Sequence, residues 1–100
     1  MNDEQLKRYR EQEKVFDRQV NRNLLGIKHE KSGEVDKAIK LYEQNVKEKF
    51  IGNHPYNRLA IIYKKLNRPD DELRIVKAGI KMFKSQKKEW FEKRLKRLES

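Results

Sequence analysis

Cysteine is absent from this chain, and with it go disulfides, thiolate nucleophiles and cysteine-built zinc sites. Proline and glycine are scarce, two and four in 100 residues, so helices meet few breakers. Long apolar runs are missing too. The longest is Leu59-Ala60-Ile61-Ile62-Tyr63, which falls inside a helical period. Nothing approaches the roughly 20 apolar residues that a membrane span needs. No apolar segment follows Met1-Asn2-Asp3-Glu4-Gln5, as a secretory leader requires. The expectation is an intracellular, cytoplasmic chain with no membrane span and no strands.

Catalytic constellations are equally scarce. The two histidines, His29 and His54, have no third ligand at helical spacing, so a packing His29 and a capping His54 are expected and a metal site is not. No Ser-His-Asp arrangement, nucleophile elbow or glycine-rich phosphate loop occurs. The carboxylates lie between lysines or at helix starts. We therefore expect no enzyme, no catalytic residue and no cofactor.

Charge is what the chain has in quantity: 42% of residues are charged and only 35% are hydrophobic, too few for a thick core. Thin helical layers packed on their sequence neighbours suit that balance in a single small domain. The net charge of +10 is uneven. Residues 1–73 carry 16 Lys and Arg against 13 Asp and Glu, and residues 74–100 carry 10 against 3. The basic end makes Lys84, Lys87, Lys88, Lys93, Arg94 and Arg97 candidate anion-binding residues, with nucleic acid as the partner they would suit.

The organising feature is a self-match at 34 residues. Asn23 meets Asn57, Leu25 meets Leu59, Ile27 meets Ile61, Lys31 meets Lys65 and Asp36 meets Asp70, all identities. Gly26 with Ala60, Ile39 with Leu73, Leu41 with Ile75 and Val46 with Ile80 are conservative pairs. A fixed period of this size in alternating helices signals a repeat array. The stops agree with it. Ser32-Gly33 ends one helix, and Asn67, the counterpart of Gly33, ends another in the same left-handed turn. Pro55, capped by Asn53 or His54, and Pro69 each open a new helix.

The order expected along the single domain 1–100 is an N-terminal helix over 1–19, repeat 1 over 20–52, repeat 2 over 53–85 and a basic capping helix over 86–100. Leu6, Tyr9, Phe16, Val20, Leu24 and Ile27 share a face that does not break at residue 19, so one helix from Asp3 to Lys31 is open. A bend near Asp17–Asn21, where Asp and Asn can cap a new helix, is the reading preferred here. Inner faces are expected from Val35, Ala38, Ile39, Tyr42 and Val46, then Leu59, Ile62, Tyr63 and Leu66. Leu73, Val76, Ile80 and Phe83 follow, and Trp90, Phe91, Leu95 and Leu98 close the array.

These residues resemble the tetratricopeptide repeat motif. Leu25, Gly26, Ala38 and Tyr42 fit the first repeat, and Tyr56, Leu59, Ala60 and Tyr63 fit the second, over about two thirds of the chain. Departures fall at Arg22, His29, Glu72 and Val76. Trp90 stands where a third repeat would open, and Lys93, Arg94 and Arg97 then occupy its packing positions. The resemblance implies an all-α, right-handed array of helical hairpins, a tetratricopeptide-like superhelix of about five to six helices. It further implies a concave face that binds a protein or peptide. Carried over, that face holds Asn23, Ile27, Glu30 and Lys31 from the first repeat and Asn57, Arg58, Ile61, Lys64 and Lys65 from the second. The asparagines would hold an extended backbone, Arg58 and Lys65 would pair a carboxylate, and Ile27 and Ile61 would form an apolar floor. Of the lysine–asparagine clamp that some members use for carboxylates, only fragments are present, in Asn57, Arg58 and Lys65. Two repeats are short for a stable array, so a homodimer is the remaining expectation, with the N-terminal helix either pairing with its twin or filling its own groove.

Overall fold

The computed structural model describes residues 2–100, and all its regular structure is helical. The five helices are α1 (Asp3–Lys31), α2 (Val35–Lys47), α3 (His54–Lys65), α4 (Pro69–Met82) and α5 (Ser85–Glu99). Short connections fold each helix back on the one before, and α1–α2, α2–α3, α3–α4 and α4–α5 are the packed pairs. The result is an elongated body of 53 × 32 × 19 Å.

The breakers act where the sequence places them. Gly33 at φ 76° and Asn67 at φ 55°, 34 residues apart, both take the left-handed conformation just past a helix end. Pro55 and Pro69 stand in the first turns of α3 and α4, where a missing N–H costs nothing. The first turn of α4 also carries Asp70, Asp71 and Glu72 against the positive end of its dipole. At the start of α1, Asn2 Oδ1 accepts from the Gln5 amide at 2.8 Å and Gln5 Oε1 accepts from the Asn2 amide at 3.1 Å, a closed capping box.

One expectation is corrected: the bend near Asp17–Asn21 does not occur. Helix α1 runs unbroken for 29 residues, about 44 Å at 1.5 Å per residue. Among the described residues neither the Asp17 nor the Asn21 side chain bonds to a backbone amide, so no new cap forms there, and Gln19, Arg22 and Asn23 reach instead to Asn45 and Glu48 at the end of α2.

The face that α1 turns to α2 is a polar seam. The apolar stripe does not seat the helix on α2. Gln19, Asn23 and Gly26 are the buried residues of α1, a seam about a quarter turn from that stripe. Tyr42, wholly buried, lies over Gly26, where an added Cβ would come within 2.4 Å of the ring. Asn45, also wholly buried, donates to Asn23 Oδ1 and to the Gln19 carbonyl, both at 2.8 Å. Leu24 and Leu25 are left 59% and 46% exposed, so Leu25 does not pack as its counterpart Leu59 does.

Downstream, burial follows the repeat. Gly26 and Ala60, Ala38 and Glu72, Tyr42 and Val76, and Asn45 and Gly79 are pairs 34 residues apart, and both members of each are buried. Around Ala38, Tyr42, Tyr56, Leu59, Tyr63, Ile75 and Val76 they form one continuous core, which Phe83 and Phe91 extend to α5. Phe91 sits over Gly79 in α4 and stacks on Phe83 at 6.0 Å, while Trp90, Leu95 and Leu98 pack at its margin. Among the described residues no helix is long and apolar enough to cross a membrane.

Candidate partner-binding groove

The residues singled out on α1 and α3 divide into three groups. Lys31, Arg58 and Lys65 meet around one cleft of about 330 Å³, which Glu30, Val35, Ile62 and Leu66 complete. Asn57, Ile61 and Lys64 recur at four- and three-residue spacing on another face of α3. There Asn57 Oδ1 accepts from Asn53 Nδ2 at 2.6 Å, so Asn53 holds a side chain one turn on instead of capping α3. Asn23 turns into the α1–α2 seam and is 8% exposed, with its oxygen taken by Asn45. Ile27, one turn on, is half-buried.

The cleft is held open by a charged bracket. Glu30 of α1 accepts from Arg58 of α3 through Nε at 3.1 and 3.2 Å and through Nη2 at 2.5 Å. Tyr42 of α2 donates to the same carboxylate at 2.6 Å, so one side chain ties three helices. Burial works to raise the Glu30 pKa, but the hydrogen bonds from Arg58 and Tyr42 outweigh it and hold the carboxyl below its ordinary range. The Tyr42 hydroxyl is pushed well up, by burial first and by the bond to Glu30 second. Arg58 is thereby committed to an internal partner, while Lys31 and Lys65 lie exposed at the rim with none among the described residues.

His54 borders this bracket. Its ring meets Tyr42 edge-on at 5.5 Å, and its buried Nε2 has no hydrogen-bond partner. Burial lowers its pKa, and Arg58 adds to the shift while Glu30 opposes it. His54 is the first residue of α3 rather than its cap. His29 lies 3.2 Å from Glu34 across the α1–α2 turn. No group of three His, Asp or Glu side chains able to hold a metal ion occurs among the described residues.

The basic C-terminal set also separates. Arg97 pairs with Glu72 of α4, and Arg94 lies 3.7 Å from the same carboxylate while stacking on Trp90 at 4.1 Å. Lys93 stands beside Glu89, Glu92 and Lys96 on the exposed side of α5. Lys84, Lys87 and Lys88 make no ion pair among the described residues, though Lys87 reaches over the Phe83 ring at 5.9 Å. The division is general: seven of nine arginines join ion pairs, whereas Lys37 is the single lysine that does, among the described residues.

Sequence reasoning missed the joint role of Glu30 and Tyr42. A signal existed, because two invaginating polar groups on neighbouring helices need each other once buried. Comparison of the chain with protein-family models, with curated proteins and with solved structures found no match.

Proposed function

We propose that this chain is a non-enzymatic adaptor of tetratricopeptide-like, right-handed hairpin architecture that binds a protein or peptide on its α1–α3 side. The observation that carries the reading is the cleft, in whose lining apolar Val35, Ile62 and Leu66 stand together with the exposed Lys31 and Lys65. An acidic side chain or a chain-terminal carboxylate would find two cations that no internal carboxylate answers. Arg58 and Glu30 then act as the frame of the site. A peptide array graded in acidic content tests this. Acidic peptides should bind, and Lys31→Glu with Lys65→Glu should abolish the binding while helicity is kept. Equal binding by that double variant would sink the proposal.

A second reading has its own support. Lys84, Lys87 and Lys88 carry charge without internal partners, which suits phosphate contacts. A mobility shift with duplex and single-stranded nucleic acid at two salt concentrations decides it, and no shift at low salt ends the idea.

A further inference from the structure

Helix α1 is more than twice as long as α2, 29 residues against 13, so its N-terminal part projects beyond the body. From Asn2 to Lys14 every residue is exposed except the half-buried Leu6. Nevertheless the projecting stretch carries an apolar stripe. Tyr9 is 52% exposed, and Phe16, whose ring stacks on Phe50 at 5.8 Å, is still 43% exposed; Leu6 and Val20 continue the same face three residues before Tyr9 and four after Phe16. An isolated amphipathic overhang of this length gains little from its own hydrogen bonds and gains most by covering that stripe.

The charge pattern says what covers it. Residues 3–18 hold five Lys and Arg against five Asp and Glu, so the overhang is neutral while residues 19–100 carry the whole +10. An acidic partner would be drawn to the body. A neutral helix instead tolerates a second copy of itself. Two of its exposed charges, Arg10 and Asp17, make no ion pair within the chain among the described residues, and they border the stripe seven residues apart.

We propose that two copies of the chain pair antiparallel through α1, along Leu6, Tyr9, Phe16 and Val20. Tyr9, Gln12, Glu13 and Phe16 surround a shallow hollow that Asp17 closes. Their spacing is that of the four-residue hole which receives one knob of a facing helix. With the two-fold axis between Lys14 and Val15, Phe16 of each copy enters the hole of the other, and Tyr9 meets Val20. Arg10 then flanks Asp17 of the second copy on both sides of the axis. Gln12 lines the opposite border without charge, where Gln19 is buried against Glu48 of its own chain. Glu13 is the single polar residue in the seam, the kind of interruption that fixes register at some cost in affinity. A parallel pair would set Arg10 and Asp17 against glutamines and bring two +10 bodies side by side. The antiparallel pair places those bodies at opposite ends.

Sedimentation equilibrium of the full chain and three variants tests the pairing. Arg10→Asp and Asp17→Arg each bring like charges together twice, so each should weaken the dimer about tenfold. The double variant Arg10→Asp with Asp17→Arg exchanges the two charges and should return the dissociation constant to near the original. Both residues are exposed and make no internal ion pair, so circular dichroism should be unchanged in all three. A wild-type chain that stays monomeric at every concentration overturns the proposal, and so does a double variant no tighter than the single ones. None of these residues lies in the α1–α3 cleft, so the result stands whether or not that cleft binds a peptide.

Discussion

Arg97 of α5 closes an ion pair on Glu72 of α4, a carboxylate only 2% exposed that lies 34 residues from Ala38. A buried charge of this kind holds its neighbours by the cost of leaving it alone rather than by net attraction. Arg97→Ala by itself should cost about 1–2 kcal/mol, because Arg94 at 3.7 Å partly replaces it. Removing both arginines should cost roughly 3–5 kcal/mol. Adding Glu72→Ala to that pair should recover most of the loss, since alanine is what the first repeat carries there. Urea unfolding of the three variants checks this; a triple variant as unstable as the double would refute it.

Gly26 and Tyr42 should show a coupled cost. The Tyr42 ring lies too close to Gly26 for a Cβ, so Gly26→Ala should destabilise by about 2–3 kcal/mol. The second repeat has Ala60 and Val76 at the matching places. In a Tyr42→Val background the added cost of Gly26→Ala should therefore shrink by more than about 1 kcal/mol. Additive effects in thermal melts would show that the ring moves freely, against the packing described.

Arg58 and the two rim lysines should part company in stability. Arg58→Ala strands the Glu30 carboxylate, which is 16% exposed at its side chain, and should cost roughly 1.5–3 kcal/mol. Lys31→Ala and Lys65→Ala touch no internal carboxylate and should stay within about 0.5 kcal/mol of wild type. Chemical denaturation separates these outcomes directly.

Acid should weaken the protein in two stages. His54 is held neutral by burial, with its folded pKa below the unfolded value, so its contribution is present above about pH 6.5 and is lost as pH falls through that region. Glu30 and Glu48 have depressed pKa values. Burial opposes the shift at Glu30 and is outweighed by Arg58, while Arg22 and Gln44 bring Glu48 to about 2. Their contributions are present above the ordinary carboxylate range and lost below about pH 4.5. Melting temperature against pH should show both stages, and His54→Phe should remove only the first. A flat profile between pH 7 and 5 in the wild type would contradict the burial of His54.

Turns, breakers and the 34-residue period were legible because each rests on a local rule. Gly33, Asn67, Pro55 and Pro69 act through their own backbones, and the structure uses all four as read. The rotation of α1 was not legible. Hydrophobic periodicity points to Leu6, Tyr9, Phe16, Val20, Leu24 and Ile27, but the seam that packs is Gln19, Asn23 and Gly26. Its favourable energy comes from a ring fitted onto a missing Cβ and from amides satisfied across two helices. Neither leaves an apolar mark, and both depend on Tyr42 and Asn45, some 16 to 26 residues away. The cleft was half legible for the same reason. Lys31, Arg58 and Lys65 were singled out, whereas Asn23 matched the pattern of Asn57 in sequence and took an inward role.

Packing concentrated between sequence neighbours also sets how the molecule comes apart. Each helix leans mainly on the one before and the one after, with the Glu30–Arg58 pair as the tie between α1 and α3, so opening spreads from the ends inward instead of striking the whole chain at once. Amide hydrogens of residues 3–14 should exchange within the dead time of a monomeric sample, those of α5 next, and those of α3 and α4 last. Because those contacts lie close along the chain, refolding should be fast, with the central hairpin of Tyr56, Leu59 and Val76 forming before either flank has docked.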